Sequence, residues 1–402
     1  MKENINNNNN NEIRINKTLE REFSFENLKA YAQACENIGI RIAEILEEDK
    51  EGIAILLPSR GAIPVFMGAC FSLGQLKMLG KIDLPPLTCF NYLREKLDKA
   101  EKNEESKTPV LIFPFTADVN FDNLVAGSEK QLEIDEIEII DNMRRFGARA
   151  VLEFFKTPEE RKGLEYRLFL TFLEVVEGRR GIIEFYENFP PVDSFVVIDT
   201  VISGRASWTI LNEWEKNGVK IGEGEKIEPI LVVDAGGKKV KEDFGKYIHT
   251  CRSCYRIPRI LTEDRGAALE GVVAVVYPQL VLAAHKRADL YSQGYPLFGS
   301  WHSIPLRFQD AYLGIFNGFL TTIEMIMNDK ESEKQREDFL IGLSASGVLS
   351  TRDSSVNGKD LDLPSAPSQI QETSAHVLQV YYNNSRVSDI IREIARKMKK
   401  ND

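Results

Sequence analysis

The sequence predicts an α/β protein with a parallel sheet at its centre, a helical insertion between strands and a helical extension at the C-terminal end. Short apolar runs without alternation carry the sheet: Gly52-Ile-Ala-Ile-Leu-Leu57, Pro109-Val-Leu-Ile-Phe113, Phe195-Val-Val-Ile198, residues 227–233 and Gly271-Val-Val-Ala-Val-Val276. Runs of this length and character suit strands covered on both faces. Amphipathic helical stretches separate several of them. Two of the runs lead through a small-residue turn straight into a helical pattern, as parallel strands and their crossover helices require.

Composition bounds the answer further. A chain of 402 residues with 43% hydrophobic content buries a large core and has room for two to three domains. A net charge of −10 argues against a general nucleic-acid binder, which needs a basic face. It leaves a polyphosphate ligand open, because exposed charges more than roughly 8 Å away are largely screened. Cys35, Cys70, Cys89, Cys251 and Cys254 are odd in number and scattered, so no disulfide framework is expected. The N-terminus has no apolar signal core, and no run reaches about 18 apolar residues, so the expectation is a soluble cytoplasmic chain without a membrane partner.

In order, residues 1–17 with the run Asn6 to Asn11 read as a disordered tail, and residues 18–305 as the α/β core. Ser24 opens a helix to about Glu48, with Leu28, Tyr31, Cys35, Ile38, Ile42 and Ile45 on one face. The 52–57 strand meets the turn Pro58-Ser-Arg-Gly-Ala-Ile-Pro-Val65, which leads into a helix over 66–73. Residues 116–130 have no helical period. Residues 131–185 form the helical insertion, a helix over 134–155 and a second one opened by the capping box Thr157-Pro-Glu-Glu160, read as a packing or dimerisation unit. Arg179 and Arg180 end it, placed either to approach phosphate or, the commoner role at a helix end, to favour the helix dipole.

The most informative stretch is Phe195-Val-Val-Ile-Asp-Thr-Val-Ile-Ser-Gly-Arg-Ala-Ser207: a buried strand, an acid at its end, a small-residue turn and a helix from Trp208 to about Asn217. Such a turn aims backbone N–H groups and a partial positive charge at one spot, which suits a phosphate. The 227–233 strand ends similarly at Asp234-Ala-Gly-Gly237, either a turn-forming acid or a residue on the acceptor or metal side of a site. His249-Thr-Cys-Arg-Ser-Cys254 has no second cysteine pair to complete a zinc site and reads as a loop without metal. Residues 306–343 read as C-terminal helices, 344–373 as a flexible linker and 374–402 as a terminal segment with an amphipathic helix.

The 195–207 stretch resembles the phosphoribosyl-pyrophosphate loop of type I phosphoribosyltransferases, and the Pro58–Val65 turn resembles the Pro-Arg-Gly-Gly-x-Pro-Val pattern with which many members hold pyrophosphate. The resemblance covers roughly residues 50–305. It implies a Rossmann-like phosphoribosyltransferase core with Asp199 and Arg60 as catalytic residues. Thr200, Ser203, Gly204, Arg205, Ala206 and Ser207 would then bind phosphate and ribose, and Ser59, Arg60 and Gly61 pyrophosphate. The family usually has two adjacent acids where this chain has Asp199 and Thr200, and glycine is common where it has Arg205. Residues 116–130 occupy the place of the family's mobile loop, and Tyr295, Phe298 and Trp301 the place of its base-stacking hood.

What the resemblance implies is a Mg-dependent transfer of phosphoribose from phosphoribosyl pyrophosphate to a nucleobase-like acceptor, with Mg²⁺ carried by the ligand and a homodimer open. Two alternatives stand beside it: a non-catalytic module that binds phosphoribosyl pyrophosphate or a nucleotide, and a nucleotide-targeting effector of a bacterial conflict system.

Overall fold

A computed structural model of the chain describes residues 17–48, 52–58, 61–85, 90–97, 107–113, 136–163, 165–167, 170, 180–202, 204–236, 244–261, 306–330 and 333–345. The elements are α1 (Lys17–Glu22), α2 (Phe25–Glu47), β1 (Ile53–Leu57), α3 (Ala62–Gln75), β2 (Ile82–Asp83), α4 (Asn91–Leu97), β3 (Thr108–Ile112) and α5 (Glu136–Leu152). They continue as α6 (Arg180–Glu187), β4 (Ser194–Val201), α7 (Arg205–Lys216), β5 (Ile227–Asp234), α8 (Gly245–Thr250), β6 (Ser253–Ile257), α9 (Leu306–Met327) and α10 (Glu333–Ala345).

The six strands form one sheet in the order β2-β3-β1-β4-β5-β6, and every pairing is parallel. β1 is central, with Ile55 opposite Val110 of β3 on one side and Val196 of β4 on the other. β1, β4 and β5 are buried along almost their whole length, which is why their sequences are apolar without alternation. Strand order reverses between β1 and β4: the chain leaves β1 toward β2 and β3 on one side and later adds β4, β5 and β6 on the other. The sheet is therefore doubly wound, with a topological switch point at the β1–β4 junction.

β5 shows how the two faces are covered. Glu228 bonds Arg41 of α2, whereas the next residue, Pro229, lies with Ser207, Ile210 and Leu211 of α7. Successive strand residues point to opposite faces, so α2 and α7 lie on opposite sides of the sheet. On the first side α2, α3 and α9 pack on one another and α10 packs on α9. On the second, α5 packs along α7, tied by Arg149 Nε to Glu213 Oε1 at 2.6 Å and by Trp214 Nε1 donating to the Ala148 carbonyl at 2.8 Å.

Several boundaries are corrected by packing. Lys17 belongs to α1 rather than to the tail, and α10 runs to Ala345, past the expected start of the linker at 344. The capping box is present, with Thr157 N and Oγ1 both donating to Glu160 Oε2, but it closes only a single 3-10 turn, Pro158–Glu160. Arg161 leaves helical backbone (φ −70°, ψ 75°), the Gly163 N–H is taken by the Glu153 carboxylate at 3.0 Å, and helical residues resume at 165–167. Arg161 is buried over the Phe154 ring and donates to the carbonyls of Glu153, Lys156, Tyr186 and Pro190. Tyr186 OH in turn donates to the Ile112 carbonyl of β3. These bonds dock the insertion on its own core, which is the packing half of the expectation. The expected strand 271–276, the 116–130 segment and the linker from 346 onward lie outside the described residues.

The first side holds a buried ion pair between α2 and β5. Arg41 Nε and Nη2 donate to Glu228 Oε1 at 2.9 and 2.6 Å, and the Gly224 N–H donates to Glu228 Oε2 at 3.0 Å. Burial alone would lower the Arg41 pKa, but Glu228, Glu44 and Glu223 together push it up. Removing one partner strands the other charge in the interior, at a cost of about 3–5 kcal/mol. Glu228→Ala is thus expected to lose about that much stability in urea unfolding, whereas the double replacement Arg41→Met with Glu228→Met is expected to lose far less. Equal losses in the two proteins would show that the pair contributes no more than its packing volume.

Candidate functional site at the sheet switch point

Two strand–turn–helix units meet at the carboxyl edge of the sheet. β1 passes through Pro58 and Gly61 into α3, and β4 passes through Ile202 and Gly204 into α7. Because β1 and β4 are neighbours and their helices lie on opposite faces, two helix N-termini open on the same crevice. Neither has a side-chain cap on its N-cap residue, Gly61 or Gly204, and neither has an acid in its first turn. In doubly wound sheets this crevice is where ligands bind, and helix N-termini there favour anions.

β4 runs two residues beyond Asp199, because Thr200 and Val201 continue the ladder with Val232 and Val233. Asp199 is therefore inside the strand and only 3% exposed, rather than at its end. Its Oδ2 accepts from Ser207 Oγ at 2.5 Å and its Oδ1 from the Thr200 N–H at 2.9 Å. Alternation turns it toward α7, into a crevice shared with Pro58, Val197, Ile210, Leu211 and Leu231. That crevice holds about 10 Å³, room for about one water molecule. A ligand at this edge has to lie over the turns, outside it.

α7 starts at Arg205, three residues before the sequence pattern placed it, so Arg205, Ala206 and Ser207 form its first turn. Arg205 Nη2 and Nε contact Asp141 Oδ2 of α5 at 2.9 and 3.3 Å. Arg144, one turn on in α5, donates from Nη1 to Asp141 Oδ1 at 3.0 Å, and Thr209 Oγ1 lies 3.4 Å from the same oxygen. One carboxylate thus receives two guanidinium groups and a hydroxyl. Burial lowers the Arg144 pKa, as does the charge of Arg205, while Asp141 and Asp199 oppose the shift.

Comparison with family models, curated proteins and solved structures returned no match. The reading of the site rests on its own residues. Of those picked out from sequence, Pro58, Asp199 and Ser207 line one crevice, with Gly204, Arg205 and Ala206 on the adjoining turn and Gly61 at the N-cap of α3. Thr200 is buried one position beyond Asp199 and so faces the other side of the sheet. Asp234 does not join them. It ends β5 on the α2 face, opposite to Asp199, where Oδ2 accepts from the Ile260 N–H at 3.2 Å and Oδ1 has no hydrogen-bond partner among the described residues. Ser59, Arg60 and Ser203 lie outside the described residues, as do Arg179, Tyr295, Phe298 and Trp301.

Sequence reasoning missed Asp141, Arg144 and Phe244. A signal for Arg144 existed: positions 144, 147, 148 and 151 fall on one helical face, and all four are buried. An arginine on an apolar stripe is the mark of a buried charge with a task. Phe244 left no local signal, since it reaches the site only through tertiary packing.

The cysteine motif also changes its place. Cys254 is in β6 and Cys251 just precedes it, so the pair borders a strand rather than occupying a loop. Cys251 Sγ donates to the Pro229 carbonyl at 2.7 Å, and burial pushes its thiol up to about 12. Burial raises Cys35 and Cys70 as well. No group of three or more His, Cys, Asp or Glu placed to hold a metal ion occurs among the described residues. A thiol reagent at pH 8 is expected to leave Cys35, Cys70 and Cys251 unmodified until denaturant unfolds the chain. Fast labelling of any of the three in the native protein, located by mass spectrometry, would contradict their burial.

Gly204 adopts φ +74°, and a Cβ there would meet Phe244 Cδ1 at 2.5 Å. A non-glycine residue in that backbone region costs about 1–2 kcal/mol before any clash. Gly218 has a similar φ of +80° with nothing within 4 Å of its Cβ position, so it serves as a control. Gly204→Ala is expected to lower the melting temperature by several degrees more than Gly218→Ala. Equal shifts in thermal unfolding would mean that the Phe244 ring yields freely.

Proposed function

We propose that the chain binds phosphoribosyl pyrophosphate at the β1–β4 switch point and transfers its phosphoribosyl group to a nucleobase-like acceptor with release of pyrophosphate. The observation that supports this most is the opening of two helix N-termini, those of α3 and α7, on one crevice from adjacent parallel strands. A ligand with phosphate at both ends of a ribose matches a site with an anion-binding turn on each side. In this reading the Gly204–Ser207 turn takes the 5′-phosphate, while Ser59, Arg60 and Gly61 take the pyrophosphate.

The chemistry asks the protein for placement and charge compensation. The C1′–O bond to pyrophosphate breaks, the electron pair leaves with pyrophosphate, a lone pair of the acceptor nitrogen forms the new bond to C1′, and that nitrogen releases its proton. No protein nucleophile takes part, so orientation and charge neutralisation carry the rate. Mg²⁺ would enter on the pyrophosphate oxygens and offset the charge of the leaving group, since Mg²⁺ is commonly held by substrate phosphates and one or two carboxylates. Asp199 is buried, with Oδ2 bonded to Ser207 Oγ and Oδ1 to the Thr200 N–H, so in this reading the turn shifts to let it contact the ribose or the metal shell. Hydrogen bonds to charged groups contribute roughly 1.5–3 kcal/mol each, so the turn N–H groups supply a substantial part of the binding energy against the costs of association.

A second reading is a module that binds phosphoribosyl pyrophosphate or a nucleotide without turning it over. The burial of Asp199 against Ser207, with Thr200 in place of a second acid, favours it.

Calorimetric titration with phosphoribosyl pyrophosphate and Mg²⁺ tests both. Binding followed by pyrophosphate release with some nucleobase, abolished by a chelator, is the outcome expected of the transferase. Binding without release across the bases selects the non-catalytic module, and no binding at all rejects both. Asp199→Asn and Arg60→Ala are each expected to weaken binding at least several-fold, and unchanged affinity in both would put the ligand elsewhere.

A further inference from the structure

The helical insertion contributes a buried, incompletely bonded charge near the first turn of α7. Arg144 is 6% exposed, and its Nε has no hydrogen-bond partner among the described residues. A buried, unmade bond on a charged donor is costly and calls for a reason. Its Nη1 shares the Asp141 carboxylate with Arg205, which stands in the first turn of α7. The uncapped N-terminus of α7, Arg205 and the under-bonded Arg144 therefore converge on one place, where a single carboxylate serves two guanidinium groups.

We propose that Arg144 is a second cationic ligand for a phosphate monoester seated on the first turn of α7, and that Asp141 holds the two arginines in the ligand-free chain until the phosphate displaces it. This deepens the reading given above and rests on it for the place of the 5′-phosphate. A phosphate monoester carries more charge than a carboxylate and offers three acceptor oxygens, so it accepts from both forks, including the Nε that Asp141 leaves unmade. It also accepts from the backbone N–H groups of the turn, which a carboxylate projecting from α5 does not replace. Asp141 is the acid that bonds both arginines directly, and with Asp199 beneath the turn its charge opposes an incoming anion at that spot. The insertion thereby becomes part of the binding site, and ligand binding loosens the Arg205–Asp141 tie between α5 and α7.

The probes are ribose 5-phosphate and inorganic phosphate, titrated calorimetrically into the full chain and its variants Arg144→Gln, Arg144→Lys and Asp141→Asn. Ribose 5-phosphate is expected to bind at least tenfold more weakly to Arg144→Gln and with an intermediate loss to Arg144→Lys, which keeps the charge and loses the fork. Asp141→Asn is expected to bind both probes several-fold more tightly despite losing a salt bridge. That gain is a readout that structural damage does not produce, and it carries the test if Arg144→Gln fails to fold. No binding of ribose 5-phosphate to wild type, or equal or weaker binding by Asp141→Asn, would overturn the proposal.

The two readings fail separately. Arg144-dependent binding of ribose 5-phosphate without turnover of phosphoribosyl pyrophosphate by any base keeps the anion site and removes the transferase. Turnover with an unchanged KM in Arg144→Lys and Arg144→Gln keeps the transferase and removes Arg144 from the site.

Discussion

The parallel pairing of β1 with β4 is the constraint on which the rest of this fold depends. Two parallel neighbours cannot be joined by a tight turn, so each needs a crossover, and the crossovers on the two sides of the switch point must cover opposite faces. From that follow the burial of both strands, the separation of α3 from α7, and the meeting of their N-termini at one edge. It also dictates where polar groups inside the sheet find partners. Asp199, buried in the sheet, is met by Ser207 on the α7 side, while Glu228 on the other side is met by Arg41.

The same geometry explains the place of the insertion. A segment that connects β3 to β4 has to pass over the face on which α7 later packs. α5 is seated against α7 by Trp214, Arg149 and Glu213, and the 3-10 turns that follow are closed over the sheet by Arg161 and Tyr186. The first turn of α7 is therefore flanked by a helix from a distant part of the chain. A turn that looks like a local phosphate cradle in the sequence becomes a composite of two segments some sixty positions apart, as Arg205 and Asp141 show.

Much of the architecture was legible because the signals were local. Five residues from Ile53 to Leu57 and four from Phe195 to Ile198 are apolar enough to read as covered strands, and Ser24 caps α2 through the Asn27 N–H as its position suggested. Boundaries were less legible. Asp199 reads as the end of its strand until the pairing of Thr200 and Val201 with β5 is known, and Thr157 reads as the start of a long helix until Glu153 captures the Gly163 N–H. β6 was hidden because its residues, Ser253 to Ile257, follow neither a continuous apolar run nor a clear alternation.

The sequence by itself determined the fold class, the places of β1, β3, β4 and β5 along the chain and the two turns that open helices, because apolar runs, glycines and caps act over a few residues. Only the tertiary structure decided that β1 and β4 are neighbours, that Asp199 faces inward to Ser207 while Asp234 lies on the other face, and that Asp141 and Arg144 join the edge. Those facts depend on which strands pair and which helices share a face, and pairings between distant segments leave no mark on either segment alone.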